Sequence, residues 1–237
     1  MNSDASMEIE SSMVEFQGGN TSRKTVGFLA RPKQSGRFPA VIVIHEIWGL
    51  VEHIKDVASR LAHEGYVALA VDLFDRKTMS KLEDGRKIRQ TLTEEETLGD
   101  LNGGFNYLKT LDYVKSNRIG SIGFCMGGGL SLQLACRNPE LAAAVIFYGR
   151  NPTPIDLVQN IRCPLLCNYA GADMGITEQD IDLLKQTSAK YGKEFDIKVY
   201  PDAPHAFFND TGERYSPEAA KDAWERTLKF FNKYLKQ

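Results

Sequence analysis

The chain has 237 residues, 42% hydrophobic and 25% charged, with a formal net charge of −2 at neutral pH. That length and apolar share fit one globular domain. The near-neutral balance leaves no electrostatic case for nucleic acid or a membrane surface, and no apolar run approaches the roughly 18 residues of a spanning helix. The start has neither a basic end nor an apolar stretch, so no signal peptide is expected. Residues 1–12 read as a disordered tail ahead of a single domain over 13–237. Four cysteines in no dense pattern fit a reducing, cytoplasmic setting.

In chain order, two strand-like runs around Gly18-Gly19-Asn20 predict an N-terminal antiparallel hairpin. Strands follow at 40–45 and 66–71. Between them lies a helix over 51–64, with Val51, Ile54, Val57, Ala58, Leu61 and Ala62 at helical spacing. His53 and His63 fall off that stripe and are expected to face solvent. Segment 75–96 is charged at almost every turn and reads as a solvated excursion; the other reading is a cover for a site mouth. Arg76 stands apart within it, because a guanidinium offers a planar fork to a carboxylate.

Further helices are expected at 94–110, 127–136, 178–191 and 217–234, and strands at 119–124, 143–147, 165–169 and 195–200. The alternation predicts an α/β fold with a mostly parallel central sheet and helices on both faces. Cys163 and Cys167 have no second Cys or His pair nearby, so burial rather than zinc accounts for them, and Cys136 is expected to pack.

Gly123-Phe124-Cys125-Met126-Gly127, behind an apolar run and ahead of a small-residue helix, reads as a nucleophile elbow with cysteine in the serine position. A buried Cys in a Gly-rich turn is the plainer reading. A thiol nucleophile needs a base and a group to orient that base. Of four histidines, His205 lies in a Pro-punctuated loop just after a strand. An acid between Cys125 and His205 in the chain completes the order, and Asp173, bracketed by Gly171 and Gly175 after a strand, is preferred over Asp202. Glu46 ends the apolar run 40–45, either as a turn residue facing water or as part of the site. Backbone N–H groups of the loop after that strand and of Met126 would form an oxyanion hole.

Together these pieces resemble the dienelactone hydrolase (carboxymethylenebutenolidase) family of the α/β-hydrolase superfamily. The matching stretches are His45-Glu46-Ile47-Trp48-Gly49, Asp72-Leu73-Phe74-Asp75-Arg76, the elbow, Tyr148-Gly149, Ala170-Gly171-Ala172-Asp173 and His205-Ala206-Phe207. The resemblance implies an α/β-hydrolase fold with Cys125 as nucleophile, His205 as general base and Asp173 as orienting acid. It implies that Glu46 helps activate the thiol, and that Ile47 and Met126 give the oxyanion-hole N–H groups. Arg76, Trp48, Tyr148 and Phe207 would bind substrate. The expected reaction is hydrolysis of a small ester or lactone, with or without a carboxylate, through a thioester. No metal or organic cofactor, nucleic acid or membrane is expected to take part, and the protein would be a monomer or a homodimer. One position departs: Asn209 stands where studied members carry a second arginine, and Arg214 is nearby at a different spacing. That keeps a broader carboxylesterase or thioesterase open. A redox-sensing thiol protein is disfavoured, because a sensor needs no oriented base.

Overall fold

The computed structural model describes residues 7–19 and 23–237. The described chain gathers into two compact units, one of residues up to Val43 with Trp48–Ile119, the other of Ile44–Ile47 with Gly120–Gln237.

In the first unit, β1 (Ile9–Gln17) and β2 (Lys24–Pro32) pair antiparallel from Ile9↔Pro32 to Gln17↔Lys24, as the hairpin expectation requires. The expected turn residue Asn20 lies outside the described residues. Residues 9–12, read as disordered tail, belong to β1. Their polar side chains are mostly exposed, yet their backbone groups pair with residues 29–32, and composition registers only the side chains. Residues 1–6 of that tail are outside the description. β2 also pairs antiparallel with β4 (Val67–Val71). β3 (Phe38–Ile44) is apolar and buried along almost its whole length, as expected for a strand covered on both faces.

Helix α1 (Glu52–His63) buries the predicted stripe and His53 with it, against the expectation of a solvated residue. His53 stands four and eight residues before buried Val57 and Leu61, so it extends their row by one turn. α2 (Leu82–Thr91) was not expected as a helix. It buries only Gly85, and carries acids in its first turn and Arg89 in its last, which suits the helix dipole without an apolar stripe. α3 (Glu94–Thr110) opens with a capping box between Thr93 and Glu96. Its Gly99 and Gly103, one turn apart, lie against the backbone of residues 17–19, where any Cβ would collide. Buried Asp100 accepts from Thr25 Oγ1 at 2.6 Å and Gly19 N–H at 3.0 Å, which fastens the hairpin end to this helix.

In the second unit, the Gly120–Phe124 end of β5 (Val114–Phe124), β6 (Ala143–Phe147), β7 (Leu165–Ala170) and β8 (Phe195–Tyr200) lie side by side in chain order, all parallel. α4 (Met126–Arg137), α5 (Glu178–Lys190) and α6 (Pro217–Leu235) alternate with them. A short 3₁₀ turn at Ile155–Asn160 adds one element that was not expected. Because the strands are parallel, their C-terminal ends share one edge of the sheet. Cys125, Tyr148, Asp173 and His205 all follow those ends.

Candidate active site

The elbow forms for steric reasons. Cys125 sits at φ +54°, ψ −114°, between the end of β5 and the first residue of α4. A Cβ on Gly123 would run into Gly127 O, and one on Gly127 into the carbonyls of Ile44 and His45. Only glycines let strand, helix and the 44–47 segment meet this closely. The turn is held by Cys125 N–H donating to Phe147 O at 3.1 Å and Gly129 N–H donating to Cys125 O at 3.2 Å. Met126 opens α4, where N–H groups lack intrahelical partners. The same close approach sets residues 44–47, which carry Glu46 and Ile47, beside the start of that helix.

Each neighbouring loop is tied down as it leaves its strand. Tyr148 N–H donates to Asn168 O at 2.8 Å, Gly171 N–H to Tyr200 O at 2.7 Å, and Ala172 N–H to Ala203 O at 3.0 Å. Asp173 closes a tight turn, its Oδ1 accepting from the N–H groups of Gly175 (2.7 Å) and Ile176 (3.2 Å). Its Oδ2 accepts from His205 Nδ1 at 2.5 Å. His205 Nε2 stands 3.0 Å from Cys125 Sγ. The three side chains expected to work together are therefore one hydrogen-bonded row.

Electrostatics follow from those contacts. Burial alone would lower the His205 pKa, but the hydrogen bonds to Asp173 and Cys125, and their charges, outweigh it and raise the pKa from 6.5 to about 10. Burial pushes Asp173 up, yet the bonds from His205, Gly175 and Ile176 win and hold its carboxyl below the usual range. The ring keeps its Nδ1 proton toward an ionised carboxylate, which fixes its orientation.

Glu46 does not face solvent: it is only 1% exposed. Its Oε2 accepts from Asn209 Nδ2 at 2.8 Å. Burial raises its pKa, partly opposed by the Asn209 bond and the His205 charge. Sequence reading marked Asn209 as a departure and did not find this bond, because the two residues are 163 positions apart.

Tyr148 is fully buried at φ +39°, its ring 5.0 Å from that of His205. Burial raises its hydroxyl pKa well above normal, reinforced by Glu46 and Cys125 and opposed by the Phe208 backbone. Phe207, expected to contact substrate, has no exposed surface; it packs against Tyr148 and Tyr200 at 5.3 and 5.1 Å, behind the loop it anchors. Phe208, missed from sequence, does similar work, stacked 5.1 Å from Phe124. Ala206, between His205 and these two rings, takes φ +68°. Arg76 and Trp48 lie in the first unit. Arg76 pairs with Glu15 at 2.6 Å in the open, and Trp48 O accepts from Met79 N–H at 2.9 Å.

The family model for the dienelactone hydrolase family matches residues 26–235. A Saccharolobus solfataricus protein assigned as a carboxymethylenebutenolidase is 40% identical, over 90% of this chain and 95% of its own length. A Bradyrhizobium protein assigned as a 2-oxo-3-(5-oxofuran-2-ylidene)propanoate lactonase is 32% identical over 92% of each chain. The crystal structure of a Klebsiella pneumoniae protein assigned as a dienelactone hydrolase superposes with a TM-score of 0.87 at 30% identity, covering 95% of this chain and all of the other. Among the described residues no helix is long and apolar enough to cross a membrane.

Proposed function

Because this chain belongs to the dienelactone hydrolase family and is a hydrolase of that type, we propose that it cleaves small esters or lactones through a thioester on Cys125. The observation that carries this reading is the continuous row from Cys125 Sγ through His205 to Asp173, with steps of 3.0 and 2.5 Å. His205 Nε2 takes the thiol proton, and sulfur adds to the substrate carbonyl carbon. The oxyanion is met by the backbone N–H groups of Ile47 and Met126; donors of this kind are typically worth about 10²- to 10³-fold in rate. The carbon–oxygen bond then breaks, and His205 returns its proton to the leaving oxygen. In a lactone that oxygen stays tethered, so ring opening leaves one acyl chain on sulfur. Water, giving a proton to His205, attacks the thioester and frees the acid and Cys125. Asp173 stays ionised throughout and holds the ring in place.

The relatives assigned as carboxymethylenebutenolidase and as a lactonase favour a lactone with a nearby carboxylate. Asn209 favours a second reading, a broader carboxylesterase or thioesterase, since a neutral amide stands where a cation would hold that carboxylate. All four cysteines are free, in keeping with a cytoplasmic protein. The test is hydrolysis of cis-dienelactone and of p-nitrophenyl acetate by wild type and Cys125→Ala, with mass spectrometry of the quenched enzyme. An acyl adduct on Cys125 and loss of turnover in the variant support the thioester. Turnover that survives Cys125→Ala would sink it, and turnover of the neutral ester alone would select the second reading.

A further inference from the structure

Among the described residues the Glu46 carboxyl receives one hydrogen bond, from Asn209 Nδ2 to Oε2, while Oε1 is buried with no hydrogen-bond partner. Asn209 cannot be turned around. Its Oδ1 accepts from Thr211 N–H at 3.1 Å and from Thr211 Oγ1 at 2.7 Å, so the NH₂ end must face Glu46. Oε2 is thereby committed as an acceptor, and a proton on this carboxyl belongs on Oε1. The titratable groups of this unit that bear on Glu46 are His205, from the loop after β8, and Tyr148, at the end of β6, whose hydroxyl also feels Cys125. The imidazole is already bonded on both nitrogens, to Asp173 and Cys125. A buried carboxylate whose one hydrogen-bond donor is a neutral amide is expensive, the His205 charge offsets burial only in part, and a carboxylic acid there escapes that cost.

We infer that Asn209 is a positioning residue that presents Glu46 as the neutral acid, its hydroxyl on Oε1, to donate a hydrogen bond to an oxygen of the bound ester or lactone. The inference rests on the hydrolase reading above and changes one part of it: Glu46 does not help remove the Cys125 proton, which passes to His205 alone. The resting site then holds a proton on Glu46 in addition to those of the Cys125–His205 pair. A substrate carbonyl or carboxylate oxygen meets a donor instead of a like charge.

Infrared difference spectra of wild type against Glu46→Gln, without substrate at pH 7 in H₂O and D₂O, read the proton directly. A protonated-carboxyl C=O stretch present only in wild type and shifted by deuteration is expected; carboxylate bands in its place overturn the inference. Asn209→Ala removes a bond that favours the charged form, so the pH at which this band disappears should rise. An unmoved pH would mean that Asn209 does not position the carboxyl. With p-nitrophenyl acetate, Glu46→Gln should lose less than about tenfold in kcat/KM, whereas a loss of about 10²- to 10⁴-fold, the range for removing a general base, would overturn the donor role. Alkylation of Cys125 by iodoacetamide in wild type and His205→Gln tests the triad separately. If the thiol proves inert while the infrared band is present, the hydrolase reading has failed and the Glu46 protonation has not.

Discussion

Two carboxylates in the second unit receive opposite treatment. Asp173 accepts two backbone N–H bonds and the His205 imidazole, and is held ionised in spite of burial. Glu46 accepts a single amide N–H, and burial prevails. Both follow strands and both are nearly sealed from water, so neither exposure nor chain position separates them. The difference is the number and charge of their donors. A turn that bends back on itself supplies N–H groups to Asp173. The short 44–47 segment supplies none to the Glu46 side chain, which depends on one residue of a distant loop.

The largest test of this contrast is Asp173→Asn. It keeps the shape and removes the charge that fixes the ring, so kcat against p-nitrophenyl acetate should fall by about 10³- to 10⁴-fold. A fall comparable with that of Glu46→Gln would erase the distinction. The same two variants should separate in stability with opposite sign. Asp173 has a lowered pKa, so its contribution is present above 3.8 and disappears as pH falls through the folded value. Glu46 has a raised pKa, so its contribution is present below 4.5 and is lost as pH rises through the folded value. Melting temperatures should therefore show Asp173→Asn falling below wild type as pH rises toward 3.8, and Glu46→Gln climbing relative to wild type as pH rises above 4.5. Parallel curves would refute the assignment. Thr211→Val removes one of the two bonds orienting Asn209 and should cost about 1 kcal/mol in denaturant unfolding, with the infrared band of Glu46 broadened. The smallest effect is expected from Arg76→Ala. An exposed pair with Glu15 is worth under about 1 kcal/mol, so neutral-ester kcat/KM should change by less than about threefold.

What could be read from the sequence follows the same division. Residues 94–110 were expected as a helix and form one, and strands 143–147 and 195–200 fall where expected, because their apolar patterning leaves one register. Cys125, Asp173 and His205 could be named as candidates because each lies in a loop that follows a strand. α2 was not, since it buries only Gly85 and its exposed charges fit a loop equally well. The burial of Phe207 was hidden by its place beside His205: the left-handed turn at Ala206 sends adjacent residues to different surroundings. The Asn209–Glu46 bond joins parts of the chain that only the finished fold brings together.

The backbone at Cys125 has a consequence for how such a protein could be improved. Its φ of +54° is natural to glycine and strained for any residue with a Cβ, at about 1–3 kcal/mol. Between two variants that both lack the thiol, Cys125→Gly should therefore melt above Cys125→Ala. A laboratory selection for heat resistance alone would be drawn toward glycine at the one position where the proposed chemistry requires sulfur. Stability can serve as a screen elsewhere in this chain, but at the elbow it ranks candidates in the wrong order.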